Sequence, residues 1–195
     1  MKINKLILLS IGLFVFVVIS YFLFIHYGAE FKLSKQVDYS NQLGISKATQ
    51  DLLDHPSSLI QKMTLLGKGE ASSWKKLSDY EWHSTSKEYQ FGTKNKFEYV
   101  MNGFSYELQG SATKCNKIVL DLRIRNKSER VQALTLLDRM TKQALHILSM
   151  NQIDTLHKSI MNAKEYKYKH QGLTIQFAHL PSRAEFWQLS ISRYE

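Results

Sequence analysis

The chain is poor in cysteine. Cys115 is the only one in 195 residues, so an intrachain disulfide is excluded. Domains exported through an animal secretory pathway more often carry several cysteines, and the count favours a bacterial source. Clustered charge is also lacking. The net charge is +9, yet no run of five Lys or Arg occurs. A solvated basic surface accounts for that excess, and it also permits contact with anionic lipid or an acidic partner. Signature motifs are missing too: no phosphate-binding Walker loop, no G-x-G-x-x-G, no H-E-x-x-H and no G-x-S-x-G. Gly103-Phe104-Ser105-Tyr106-Glu107 lacks the second glycine of the last pattern. No internal repeat or low-complexity tract stands out.

Against these absences stands one long apolar stretch, Leu6 to Ile25, with no charged residue and sixteen of its twenty positions Leu, Ile, Val or Phe. About 20 apolar residues at 1.5 Å each span the roughly 30 Å hydrocarbon core of a bilayer. The sixteen contribute on the order of −5 to −9 kcal/mol to insertion, and Ser10, Gly12, Ser20 and Tyr21 offset only part of it. A cleavable signal has a shorter apolar core and a small-x-small cleavage site. The nearest candidate, Tyr27-Gly28-Ala29, places Tyr27 where a small residue is needed. The expectation is therefore an uncleaved signal anchor over residues 6–27. Lys2 and Lys5 in the five-residue tail favour a cytoplasmic N-terminus, although Lys32 and Lys35 on the other side narrow the difference. This places residues 28–42 as a linker and 43–195 as a periplasmic domain tethered to the inner membrane. Gly12 has Leu8 and Phe16 four positions away, so no G-x-x-x-G seam is formed.

The remaining chain is long enough for one domain with its own core. Setting aside Lys2 and Lys5 from the net +9 leaves +7 on it. Ser46 reads as the N-cap of a short helix with Leu52 and Leu53 inward. Pro56 opens a second helix through Leu59, Ile60, Met63 and Leu66, and Gly67-Lys68-Gly69 stops it. From about Tyr80 the apolar period becomes two. Phe97, Tyr99 and Met101 alternate up to Asn102-Gly103, and Phe104, Tyr106 and Leu108 alternate away. Asn-Gly is the preferred type I′ turn, so the pattern predicts a hairpin with Met101 facing Phe104, Tyr99 facing Tyr106 and Phe97 facing Leu108. A loop over residues 110–116 and a strand over 117–125 follow. Asn126 or Ser128 caps a long helix running to about Met150, with Val131, Leu134, Leu137, Leu145 and Leu148 on its apolar stripe. Asp138, Arg139, Lys142, Gln143 and His146 fall outside that stripe. A shorter helix covers about 152–162. Tyr166 and Tyr168 then pair with Phe177 and Ile175 around a Gln171-Gly172 turn. After a second turn at residues 180–183, a last strand sends Trp187, Leu189 and Ile191 inward. The fold class is α+β: a mostly antiparallel sheet of hairpins packed against one long helix, with a short helical lead-in.

Candidate chemistry is sparse. Seven histidines are present. Asp154 and His157 share a helix face, but His146, His170 and His179 complete no compact ligand set with them, so no metal or other cofactor is implied. The predicted hairpin puts Glu98 opposite Glu107, a like-charge pair that raises one pKa and suits acid/base work, unless Lys94 or Lys96 neutralises it. Cys115, between Lys114 and Lys117 in the predicted loop, has positive surroundings that favour thiolate and a redox or dimer-forming role. Alternating tyrosine and lysine at 166–169 resembles a base-stacking surface, but a tethered, translocated domain does not meet nucleic acid. The resulting expectation is a membrane-anchored, non-enzymatic protein-binding or assembly protein of the envelope. It would be a complex subunit or an inhibitor of a periplasmic toxin, presenting a sheet face or edge to its protein partner. An envelope hydrolase or redox enzyme is the alternative, with Glu98, Glu107, His83 and Cys115 converging in one cleft. Binding of anionic lipid or acidic glycan is a third.

Overall fold

Residues 45–65, 69–93, 101–170 and 172–193 are described by a computed structural model. The expected anchor from Leu6 to Ile25 and the linker to residue 42 lie outside the described residues, as does Glu98. Among the described residues no helix is long and apolar enough to cross a membrane.

Helix α1 (Lys47–Leu53) starts where Ser46 accepts a hydrogen bond from the Thr49 backbone N–H at 3.2 Å. Helix α2 (Pro56–Thr64) starts with proline in its first turn, where no intrahelical donor is needed. Leu59 and Met63, one turn apart, are both fully buried. Eight strands follow: β1 (Lys75–Lys76), β2 (Trp82–Thr85), β3 (Tyr89–Phe91), β4 (Asn102–Gly110), β5 (Cys115–Ile124), β6 (Tyr166–His170), β7 (Leu173–Leu180) and β8 (Glu185–Arg193). They form one sheet in the order β1-β2-β4-β5-β8-β7-β6, with β3 paired to β4 beyond the end of β2. Every described ladder is antiparallel. Between β5 and β6 the chain makes a 3-10 turn (Lys127–Glu129), the long helix α3 (Arg130–Ile147) and helix α4 (Asp154–Met161).

Strand alternation gives the sheet two unlike faces. One carries Phe104, Tyr106, Leu108, Ile118, Leu120, Leu122, Ile175, Phe177, Leu189 and Ile191, all at most 3% exposed. These pack with Leu134, Leu137, Met140 and Leu145 of α3 in one core. The lead-in helices join it through Leu52, Leu53, Leu59 and Met63 and are pinned by two polar contacts. Thr49 Oγ1 donates to the Leu148 carbonyl just past α3, and Arg193 at the end of β8 donates to Asp54 at the end of α1, 2.6 Å away.

The α+β class, the antiparallel sheet and the long helix match the expectation from sequence. So does the β6–β7 register: Tyr166 pairs with Phe177 and Tyr168 with Ile175, and Gly172 adopts φ +74°. The predicted Asn102-Gly103 hairpin is overturned. Both residues lie inside β4, where Asn102 pairs with Phe91 and Gly103 with Gln90 and Arg123. Phe104, Tyr106 and Leu108 therefore face Leu122, Leu120 and Ile118 rather than Met101, Tyr99 and Phe97. The asparagine and glycine serve long-range contacts instead. Asn102 is fully buried, and its Oδ1 accepts from the backbone N–H of Arg125 and of Asn126, both at 2.9 Å. Gly103 lies under Glu88, and a Cβ there would sit 1.8 Å from Glu88 Oε1. Two helix assignments also change. Val131 is 71% exposed rather than inward, and Asp138, placed outside the stripe, is only 6% exposed.

Candidate functional site

The second sheet face is lined by short polar side chains. One row across the strands runs Thr85, Glu107, Val119, Ser190, Gln176, Lys167. The row beside it runs Ser105, Asp121, Gln188, Ala178. Most of these positions are half-buried. Two residues singled out from the sequence meet here. His83 on β2 and Glu107 on β4 lie diagonally across one ladder, with His83 Nδ1 3.6 Å from Glu107 Oε1. The expected Glu98–Glu107 pair does not form, because Glu107 is laddered to Thr85 on one side and Val119 on the other. The acidic neighbour it does have is Asp121. Burial pushes the Asp121 carboxyl above its ordinary range, the hydrogen bond from Gln188 Nε2 at 3.0 Å pulls the other way, and the charge of Glu107 adds to the rise. A carboxylate pair with one raised member thus exists on β4–β5, built from a partner that the sequence reading missed. Only a ladder register reveals it, since Glu107 and Asp121 sit on different strands.

Cys115 does not join this group. It begins β5 rather than lying in a loop, is fully buried and donates to the Lys117 carbonyl at 3.4 Å. Burial pushes its thiol up to about 12, the reverse of the expected thiolate, because desolvation outweighs hydrogen bonds with the Lys117 and Gln109 backbone and the charge of Arg193.

Two further groupings were not visible in the sequence. Beside α4, Asp138 on α3 is 2.7 Å from His157 Nδ1 through one oxygen and 2.8 Å from Lys142 Nζ through the other. The three line a water-sized cavity of about 50 Å³ with Thr141, Gln152 and Asp154. Among the described residues no three His, Cys, Asp or Glu side chains are grouped to hold a metal ion. On the other side of α3 a groove of about 270 Å³ runs along β3, lined by Tyr89, Phe91, Gln132, Thr135, Leu136 and Arg139. Tyr89 and Phe91 stack with centroids 6.0 Å apart.

The remaining ionic contacts are cross-links. Arg125 holds Glu88 at 2.8 Å, Arg130 holds Glu185 at 2.8 Å and Arg193 holds Asp54 at 2.6 Å. Glu129 accepts from the Thr93 backbone and hydroxyl and, at 3.1 Å, from Asn102 Nδ2. Glu129 is thereby held below the ordinary carboxylate range. No protein-family model, curated protein or solved structure matches this chain.

Proposed function

We propose that this chain is a membrane-anchored, non-enzymatic binding or assembly protein of the bacterial envelope. It would act as a complex subunit or as an inhibitor of a periplasmic toxin, engaging a protein partner through its sheet. The observation that supports the reading is the division of labour in the domain. One sheet face and the helices form the core, while the other face and the β3 edge present half-buried polar and aromatic groups over a broad area. Such surfaces suit protein recognition, in which a few anchors sit among complementary polar contacts. Crosslinking the intact protein in its native membrane, followed by pull-down, tests it. A specific protein adduct that depends on residues 43–195 is expected; recovery of the uncrosslinked chain alone would count against the reading.

A second reading is favoured by one contact. The Asp138–His157 pair is a carboxylate–imidazole contact of the kind that orients a general base, with Nδ1 2.7 Å from one carboxylate oxygen. Its cavity is water-sized, which suits an internal clasp better than a substrate site.

A further inference from the structure

We propose that the end of the sheet at which the chain enters the domain docks on an anionic bilayer surface, with Leu77 and Tyr80 of the β1–β2 hairpin seated among the lipid headgroups. This goes beyond the protein-binding reading and rests only on its membrane anchor. Leu77 is 55% exposed and Tyr80 94%, two of the four large apolar side chains left exposed among the described residues. They lie three positions apart on one hairpin tip. Backbone hydrogen bonds close that tip: the N–H groups of Leu77 and Ser78 donate to the Glu81 carbonyl at 2.8 and 3.2 Å. The base is held as well. Lys75 and Lys76 ladder to His83 and Trp82, Trp82 ladders to Gly110, and Trp74 Nε1 donates to the Ser111 carbonyl at 3.1 Å. A loop of fixed shape thus carries an aliphatic and a phenolic side chain into solvent. Tyrosine suits a bilayer interface, where its ring meets apolar chains and its hydroxyl stays among the headgroups.

Position and charge select a bilayer as the occupant. Strand pairing gathers four features at one end of the sheet. The hairpin tip lies there, next to the 111–114 turn between Gly110 and Cys115. β8 finishes there, since Lys117 pairs with Ser192, and β7 begins there, since Leu173 pairs with Arg193. The chain enters beside that start: a Cβ on Gly172 would sit 2.7 Å from Ile45 Cγ1. Ile45 comes twenty residues after Ile25, the last residue of the apolar stretch, and a chain of that length extends at most about 70 Å. The tether pulls on this end, so this end faces the membrane. β2 and β7 are separated by three strands, about 20 Å, so tether and tip grip opposite sides of one sheet end. Lys75, Lys76 and Lys114 are exposed around the tip, and Lys47 is exposed beside the entry. Asp79, at the tip, is engaged by Lys76 at 2.7 Å, and Glu81 is half-buried. With Lys2 and Lys5 set aside, the net charge of +9 leaves +7 to be drawn to anionic lipid. An acidic protein would meet the same charge, but only a bilayer is fixed opposite this end by the chain's own tether.

The test reconstitutes the full-length chain into phosphatidylcholine vesicles with or without phosphatidylglycerol. Ser78→Cys carries an environment-sensitive fluorophore between Leu77 and Tyr80, and Arg183→Cys carries it at the opposite end of the sheet. The wild-type chain, whose Cys115 is buried, is the labelling blank. The vesicles hold no other protein, so the result is independent of any protein partner. The chain is expected to float with both kinds of vesicle. The label at position 78 should shift to the blue and be quenched by nitroxide lipids when phosphatidylglycerol is present, while the label at position 183 stays water-like. Leu77→Asp combined with Tyr80→Asp should lower the docked-to-free ratio roughly tenfold or more. A chain that does not float overturns the anchor and the docking together. A floating chain whose label at position 78 stays water-like overturns the docking and leaves the anchor standing. Equal shifts at the two positions overturn the end-on orientation. An equal shift without phosphatidylglycerol overturns the anionic-headgroup assignment, and a shift unmoved by the double aspartate variant overturns the seating of Leu77 and Tyr80.

Discussion

Asn102 is fully buried and engages both polar atoms of its side chain. Its carbonyl oxygen accepts from two successive backbone N–H groups, Arg125 and Asn126, and its amide donates to Glu129. Those contacts fix the exit from β5 into α3. Asn102→Ala strands both backbone donors and should lower the unfolding free energy by about 2–4 kcal/mol. The midpoint of urea unfolding, followed by tryptophan fluorescence on the full chain in detergent, measures it; an unchanged midpoint would show that water replaces the amide. Asp121 makes a prediction of opposite sign. Burial holds its carboxyl above the ordinary value of 3.8, so the folded state favours the neutral acid. Its contribution is fully present below 3.8 and is lost as pH rises through the raised pKa. Asp121→Asn should therefore raise the unfolding midpoint at neutral pH and leave it unchanged well below 3.8. A loss of stability at neutral pH would mean that the ionised carboxylate is the form that the fold prefers. Asp54 runs the other way. The hydrogen bond from Arg193 holds its carboxyl below the usual range, and that contribution is present above 3.8 and lost as pH falls further.

Helices α3 and α4 are joined by apolar contacts and by the Asp138 clasp, and the clasp carries the element-scale prediction. Asp138→Ala removes the shared acceptor of His157 and Lys142 and should destabilise the chain by roughly 1–3 kcal/mol, with His157→Ala costing less because Lys142 still neutralises the carboxylate. Equal losses in the two variants would show that the imidazole contact alone matters. At this scale the sequence was legible where the decisive contact is local. Gly172 at positive φ sits where His170 pairs with Leu173 and the register of β6 against β7 is set, and the cap at Ser46 fixes α1, each within a few residues. Asn102-Gly103 carries the same kind of local turn signal. There it is outweighed by partners far along the chain: Glu88 above the glycine, Arg125 and Asn126 on the asparagine. The same reason hid the sites. His83 meets Glu107 only through the β2–β4 register, and Asp138 meets His157 only through the packing of α3 on α4. The groove lined by Tyr89, Phe91 and Leu136 depends on β3 and α3 meeting across the fold, which no periodicity encodes. Val131 misled for a related reason: its spacing fits the apolar stripe, but it lies in the first turn of α3, where the chain is still leaving the sheet.

At the scale of the whole molecule, the proposed role depends on tethering. A protein partner engaged by one domain surface alone must offset the lost translational and rotational freedom of association. Confinement beside a partner in the same membrane raises the effective concentration and offsets that cost. The stretch from Leu6 to Ile25 is what would supply the confinement, and its insertion can be titrated. An arginine near the centre of a span adds about 2.5–3.5 kcal/mol and removes the apolar residue's own contribution, so two such changes offset most of the −5 to −9 kcal/mol expected for the segment. The wild-type chain should stay with the membrane pellet after alkaline carbonate extraction, and the double variant Val15→Arg with Phe16→Arg should be released into the supernatant. Tryptophan fluorescence should stay native-like in both, because all three tryptophans (Trp74, Trp82 and Trp187) lie outside the span. Protease added outside spheroplasts should degrade residues 43–195 of the wild type, consistent with a periplasmic domain. A wild-type chain released by carbonate would remove the anchor, and with it the confinement. A pelleted domain that resists external protease would keep the anchor and invert its orientation.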